Sequence, residues 1–286
     1  MQLQIHGITV SYRGREVLTD LSLEVRQGDF VAIVGPNGSG KTTLLRTISR
    51  VLRPERGVVL LTGEDLNKFS QRQIARRLGV VPQASVAVPD FTVEEMVMLG
   101  RSPHQGRLQG ESRRDLEVVR QALRLTGSLE LRDRLFNELS GGEKSILVIA
   151  RALAQEPELL LLDEPTSHLD INYQREILQL LRGLSAKQGL TVISVLHDLN
   201  LASHFAQRLI MLQDGLIQSA GTPREVLTPE NIWQVYRTEV LVIPHIATGQ
   251  PLVLLPAPRE EEIIPAAGLK SLKTRERKPD CRAAGA

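Results

Sequence analysis

Residues 30–50 read FVAIVGPNGSGKTTLLRTISR, and this stretch decides the fold. Phe30 to Val34 is a short apolar run bounded by Gln27-Gly28-Asp29 on one side and a glycine-rich segment on the other, the pattern of a strand buried on both faces. A helix is predicted from Lys41 to about Arg50. Between strand and helix, Gly35-Pro36-Asn37-Gly38-Ser39-Gly40-Lys41-Thr42 fits G-x-x-x-x-G-K-[ST], and Thr43 follows on the helix. Strand, glycine loop and helix in that order form a phosphate-binding loop. Its backbone N–H groups converge on phosphate oxygens and the helix N-terminus adds favourable potential. Lys41 then reaches the β/γ-phosphates and the Thr42 hydroxyl ligates magnesium. A glycine turn with a purely structural purpose has no need for Lys-Thr at this offset.

Working outward, residues 3 to 34 read as strands, with Leu21, Leu23 and Val25 alternating with polar neighbours. Residues 57 to 61 and 79 to 81 read as further strands. After Pro82 the texture changes. Thr92 with Glu95 forms a capping box, Leu116, Val119 and Leu123 recur at helical spacing before Gly127, and Ser140 with Glu143 opens a helix to about Gln155. Residues 84–155 are therefore expected to be mostly helical, inserted in a β/α chain. Leu159 to Leu162 is a strand, 171 to 184 a helix and Leu190 to Leu196 a strand. Arg208 to Leu212 and Leu216 to Ser219 flank the hairpin signal Asp214-Gly215. Thr222, Pro223 and Glu225 open another helix, and Trp233 reads as a packing residue of a C-terminal helix. Residues 257–286 read as a tail, charged and poor in apolar residues from Lys270 onward, and expected to be disordered.

Composition narrows the function classes. A chain of 286 residues with 42% apolar residues suits one large α/β domain with an inserted subdomain. A net charge of +2 without a basic stripe argues against nucleic acid as a partner. Cys281 is the single cysteine, so no internal disulfide forms and a reducing compartment fits. His6, His104, His168, His204 and His245 lack metal-ligand spacing and read as surface or packing residues. The N-terminus does not read as a signal peptide, and no run of about 18 apolar residues suits a membrane span. If the chain serves transport, another chain supplies the pore.

Two more motifs carry chemistry. Leu159-Leu160-Leu161-Leu162-Asp163-Glu164 is a buried strand ending in adjacent carboxylates. In an open α/β sheet these emerge beside the phosphate loop, Asp163 to hold magnesium through water and Glu164 to orient and polarise an attacking water. Leu139-Ser140-Gly141-Gly142-Glu143 presents a hydroxyl and free N–H groups at a helix start, a second anion site. An ordinary N-cap explains Ser140 but not the glycine pair.

With these residues the chain resembles the ATP-binding subunits of ABC transporters from about residue 3 to 256. The resemblance implies an α/β P-loop NTPase fold of the ABC ATPase type, with an antiparallel β subdomain and an inserted helical subdomain, all within residues 1–256. Carried over position by position, it makes Tyr12 the aromatic that stacks on adenine. Gln83 becomes the glutamine that senses magnesium and the permease. Ser167-His168-Leu169-Asp170 becomes the D-loop and His197 the switch that contacts the γ-phosphate. ATP and Mg2+ are the implied cofactors, with Thr42, Gln83 and Asp163 around the cation. The implied assembly is a head-to-tail homodimer, each ATP lying between one chain's P-loop and the other's Ser140-Gly141-Gly142. Two integral-membrane permease subunits and a substrate-binding protein acting through them complete it, at the cytoplasmic face of the plasma (inner) membrane. Residues 166–170 and the ending Val242 to Pro256 resemble importers of iron–siderophore complexes, haem or cobalamin. One departure stands out: the family continues its signature with Gln-Arg where this chain has Ser145-Ile146. The rival reading is a soluble ABC ATPase acting on ribosomes or DNA. Such proteins carry two cassettes or a long coiled coil, whereas this chain has one P-loop, one signature and no sustained heptads. A vestigial nucleotide site conflicts with the retained Lys41, Glu164 and His197.

Overall fold

The computed structural model describes residues 3–83, 90–106 and 110–257. The first part of the chain forms β1 (Leu3–Tyr12), β2 (Arg15–Val25), β3 (Phe30–Val34), α1 (Lys41–Ile48), β4 (Arg56–Leu61), β5 (Glu64–Asp65), α2 (Gln71–Arg77) and β6 (Leu78–Val81). Three helices follow, α3 (Val93–Met98), α4 (Arg113–Leu125) and α5 (Gly141–Leu153). The chain then returns to alternation with β7 (Leu159–Asp163), α6 (Ile171–Gln188), β8 (Thr191–Val195), α7 (Leu199–Phe205), β9 (Arg208–Gln213) and β10 (Leu216–Gly221). It closes with α8 (Pro223–Val226), α9 (Pro229–Tyr236), β11 (Leu241–Pro244) and β12 (Pro251–Leu254).

A six-stranded sheet in the order β10-β9-β3-β8-β7-β6 is the frame. From β9 to β6 every pairing is parallel, and β10 joins as an antiparallel hairpin arm. Its central strands are buried on both faces, β3 and β7 as apolar runs and β8 with Thr191 and Ser194 buried among its apolar residues. Successive residues go to opposite cores. Val31, Ile33, Leu159, Leu161, Ile193 and Val195 face one core, shared with α1 and the four-stranded antiparallel sheet β2-β1-β4-β5. Phe30, Ala32, Val34, Leu160, Leu162 and Val192 face the other, shared with α5, α6, α7 and α9. A third core joins α3, α4 and α5 through Val97, Val119, Leu123 and Leu147. Helix α5 serves two cores, Ile146 and Ile149 on one side and Leu147 and Ala150 on the other.

Capping sets the helix starts. Ser70, Thr92, Ser112 and Ser140 each form a reciprocal capping box with the residue three positions on. Several expectations shift. Helix α1 ends at Ile48, two residues short of Arg50, which takes φ 57°. Helix α6 runs on to Gln188 and stops at Gly189 in the left-handed region. Helices α2 and α7 were not expected. Trp233 is not a packing residue: it is 48% exposed, and α9 buries Ile232 and Val235 instead. The C-terminal hairpin is β11-β12, held on α7 by Asn200, whose amide donates to Val253 O at 3.0 Å and accepts from Val253 N at 2.7 Å. The expected disorder of the tail lies outside the described residues, as do residues 84–89.

Candidate nucleotide-binding site

Strands β3, β8, β7 and β6 lie side by side and parallel, so their carboxyl ends share one edge. The P-loop leaves β3, His197 follows β8, Asp163 and Glu164 end β7, and Gln83 follows β6. Four sequence motifs, spread from Gly35 to His197, thus meet where open α/β sheets bind ligands.

The P-loop has little steric latitude. A Cβ on Gly35 would overlap the carbonyl of Leu212 in β9. Gly40, the N-cap of α1 at φ 102°, would bring a Cβ to 2.7 Å from Leu18 Cδ2 and 3.0 Å from Val17 O. The β9-β10 turn holds the loop from outside, since Gly215 N–H donates to Ser39 O at 3.1 Å and Gly215 O accepts from Thr19 N at 3.2 Å. Among the described residues, Ser39 Oγ is buried without a hydrogen-bond partner. Lys41 folds back on its own loop, Nζ donating to Gly35 O at 2.9 Å and Pro36 O at 2.8 Å. Burial lowers the pKa of its ammonium, against the opposing pull of Glu164 and Asp163.

The carboxylates differ. Asp163 accepts from Thr42 Oγ1 at 3.2 Å, and burial pushes its pKa up despite that bond. Glu164 sits at φ 52°, a left-handed conformation that costs a non-glycine residue about 1–3 kcal/mol. That turn aims its carboxylate at three donors. His197 Nε2 lies 2.5 Å from Oε1, while Gln83 Nε2 and Ser167 Oγ donate to Oε2 at 2.6 and 3.0 Å. Partial burial works against ionisation, but the bonds from His197 and Ser167 and the charges nearby win, and the pKa is lowered. His197 is 43% exposed, open to a ligand. The donors at Thr42, Asp163 and Gln83 are hard oxygens, a set that fits Mg2+.

A cavity of about 500 Å3 opens on this edge, lined by Tyr12, Asn37, Gly38, Lys41, Thr42 and Glu164 among others. Tyr12, 38% exposed, stands at its mouth on the antiparallel sheet. Arg15, Val17 and Asp214 also line it, and sequence reasoning missed them. Their signal was proximity: Arg15 and Val17 lie just past the Tyr12 turn, and Asp214 belongs to a hairpin noted only as a turn.

The signature segment stands apart. Ser140 is an exposed N-cap, its hydroxyl 2.7 Å from Glu143 Oε2, and Gly141 is exposed beside it. Neither Ser140 nor either glycine lines the P-loop cavity. Gly141 borders a second cavity of about 190 Å3, with Gln83, Ser145, Arg151 and Glu164. The substituted position Ser145 donates to Gly141 O at 3.0 Å, and Ile146 is buried in the second core.

A family model described as ABC transporter matches residues 18–167. The chain belongs to the ABC transporter family. It is 41% identical over 253 residues to the ferric enterobactin transport ATP-binding protein FepC of Escherichia coli, covering 88% of this chain and 93% of that one. It is 42% identical over 259 residues to the hemin import ATP-binding protein HmuV of Gloeobacter violaceus, at 88% and 93% coverage. An ATP-binding cassette solved as a dimer in a post-hydrolysis state with ADP and phosphate superposes with a TM-score of 0.67 at 30% identity, over 77% of this chain and 98% of that one. The chain is thus an ATP-hydrolysing cassette with the ABC ATPase fold, as the motifs led us to expect.

Proposed function

We propose that this ABC cassette energises import of an iron(III)–siderophore, haem or cobalamin through a separate permease, at the cytoplasmic face of the membrane. The observation that carries the reading is the split between two anion sites. Lys41, Thr42, Asp163, Glu164, Gln83 and His197 gather on one sheet edge, while Ser140 and Gly141, followed by the buried Gly142, open outward and do not line the P-loop cavity. A second copy, turned head to tail, supplies Ser140 and its glycines to the ATP held by the P-loop, with Tyr12 against adenine. Gly35 to Thr43 cradle the phosphates, and Lys41 exchanges its two loop carbonyls for phosphate oxygens. Mg2+, held by Thr42, Asp163 and Gln83, would offset phosphate charge. Glu164 is the carboxylate that orients water, and His197 the contact to the γ-phosphate. Because Glu164 is engaged by three donors here, productive alignment calls for an exchange of partners when the dimer closes. The helical subdomain, residues 84–155, carries that motion to the permease together with Gln83.

The cargo class is supported by the relatives' printed roles and the β11-β12 ending. Two experiments test the two levels. Lys41→Ala and Ser140→Arg should each be inactive, and mixing them should restore one intact site of the two per dimer; no recovery and no ATP-dependent dimer would defeat the shared site. Reconstituted with its own permease and binding protein, the ATPase should rise with a ferric chelate, haem or cobalamin and not with maltose or phosphate. A response to maltose or phosphate alone would move the chain to another importer branch.

A further inference from the structure

The two glycines of the signature have different surroundings. A Cβ on Gly141 would meet nothing within 4 Å among the described residues, so this position lies open for a partner's nucleotide to approach. A Cβ on Gly142, by contrast, would overlap Cγ, Cδ2 and Cε2 of Tyr173. The ring of Tyr173 therefore lies flat on the α-carbon of Gly142. Gly142 is buried beneath it at the second position of α5.

Tyr173 is itself fixed from two sides. It occupies the third position of α6, where its N–H donates to the capping carboxylate Asp170 Oδ1 at 3.1 Å. Its half-buried ring packs against the second core. Helix α6 follows directly from residues 164–170, the segment that holds the Glu164 carboxylate. Within that segment Ser167 bonds Glu164 twice, Ser167 N to Glu164 O at 3.1 Å and Ser167 Oγ to Oε2 at 3.0 Å. Hydrogen bonds thus join Glu164 to Ser167 and Asp170 to Tyr173, the short stretch of chain from Ser167 to Asp170 connects the two pairs, and the Tyr173 ring meets Gly142 at the start of α5.

We propose that Tyr173 is a positioning residue that seats the Ser140-Gly141-Gly142 helix start on the loop carrying Glu164, so that the chain's own hydrolytic carboxylate and the anion site it offers to a second copy move as one body. This inference rests on the shared-site reading above. The contact is made by ring carbons, so phenylalanine suffices. The residue at 142 is glycine because an aromatic plane occupies the Cβ position, in addition to any demand from phosphate.

The test uses the full chain in a Glu164→Gln background, where ATP-dependent dimers accumulate, with affinity read by sedimentation and monomer binding by titration with a fluorescent ATP analogue. Tyr173→Phe should leave the dimer dissociation constant within about twofold. Tyr173→Ala should weaken dimerisation about tenfold or more while P-loop affinity for the analogue stays within about twofold, because a misplacement of about 1 Å is enough to cost that much. Gly142→Ala should also weaken the dimer, and adding Tyr173→Ala to it should recover at least about fivefold, since the smaller side chain vacates the Cβ position. Tyr173→Leu, which keeps apolar volume but not the flat ring, covers the case in which the alanine variant fails to fold, and it should weaken the dimer as well. Dimers unaffected by Tyr173→Ala or Tyr173→Leu, or a Gly142→Ala/Tyr173→Ala protein no better than Gly142→Ala, would overturn the inference. If the parent Glu164→Gln protein forms no dimer with ATP, the shared-site reading fails and this inference with it. A parent that dimerises without dependence on Tyr173 sinks this inference alone.

Discussion

Replacing Arg101 with methionine should unfold the helical part of the molecule before the rest. Arg101 is only 2% exposed and is the largest fully buried side chain among the described residues. Its Nε donates to Asp115 Oδ1 at 2.9 Å, and its Nη1 donates to Ala154 O at 2.7 Å and Glu156 Oε2 at 2.8 Å. Asp115 is the capping-box residue of α4, and Ala154 caps the C-terminus of α5. One guanidinium therefore ties the turn after α3 to both other helices of the third core. Methionine fills much of the volume but leaves Asp115 buried without its cation. Removing one member of a buried pair costs about 3–5 kcal/mol, and relief of Arg101's own desolvation puts the expectation near the lower bound, about 3 kcal/mol. The Asp115 pKa agrees in direction. Burial opposes its ionisation, yet bonds from Ser112 and Arg101 bring it from 3.8 down to about 2. The depression has the sign that a stabilising Arg101 contact requires, and Ser112 retains part of it in the variant. A depressed carboxylate stabilises above its unfolded pKa and loses that contribution as pH falls through its folded pKa. The difference between the two proteins should thus be full at pH 7 and shrink as pH drops below about 4. Urea unfolding from pH 7 downward, with hydrogen exchange to locate the loss in α3 and α4, measures it. Asp115→Asn should absorb at least about 1 kcal/mol of the Arg101→Met penalty when the two are combined. A loss under about 1 kcal/mol, or strict additivity, would refute the reasoning.

Three further outcomes follow from the site. Glu164→Gln should lower steady-state hydrolysis by about 10²-fold or more while ATP binding survives, as followed by phosphate release and nucleotide titration. Gly40→Ala should weaken ATP binding and lower the melting temperature together, because φ 102° and Leu18 at 2.7 Å leave no room for a methyl; a strained position of this kind costs about 1–3 kcal/mol, read by thermal unfolding. Ile146→Arg, which restores the family's residue, should destabilise by about 2 kcal/mol or more because Ile146 is buried in the second core, and chemical denaturation with Ile146→Val as the mild control gives the comparison.

What the sequence made legible was whatever a backbone can do with only a few residue types. The P-loop needs glycine at 35 and 40 because neighbouring chain fills the Cβ positions, so the pattern announces itself. The central strands β3 and β7 are buried on both faces, so their apolar runs mark them. The Ser140 and Thr92 capping boxes opened helices at the expected residues. Helix α2 escaped for the opposite reason. It has seven residues and buries only Ile74, too little for a period to show, although Ser70 and Gln73 form the same capping box. Helix α7 is equally short, and its Asp198 cap lies next to His197, which drew a functional reading to the same residues. Trp233 shows that size and hydrophobicity do not fix a face: the helix turns Ile232 and Val235 inward, and the ring stays outside.

The contacts that the sequence could not show are those in which one side chain meets another from a distant element. Nothing about Arg101 in a stretch reading Leu99-Gly100-Arg101-Ser102 says that the guanidinium is enclosed, because the carboxylate and carbonyl that make enclosure tolerable arrive from residues 115, 154 and 156. Tyr173 likewise reads as a helix-surface residue until Gly142 is placed beneath it. Both cases share a physical logic. An expensive local feature, a buried cation or a glycine inside a helix, persists where a partner from elsewhere offsets it. At Arg101 and Gly142 the locally disfavoured residue marks a tertiary contact. Gly142 and Arg101 are thus two positions where a single substitution should disturb two elements at once, Gly142 between the signature helix and the Glu164 loop, Arg101 among α3, α4 and α5.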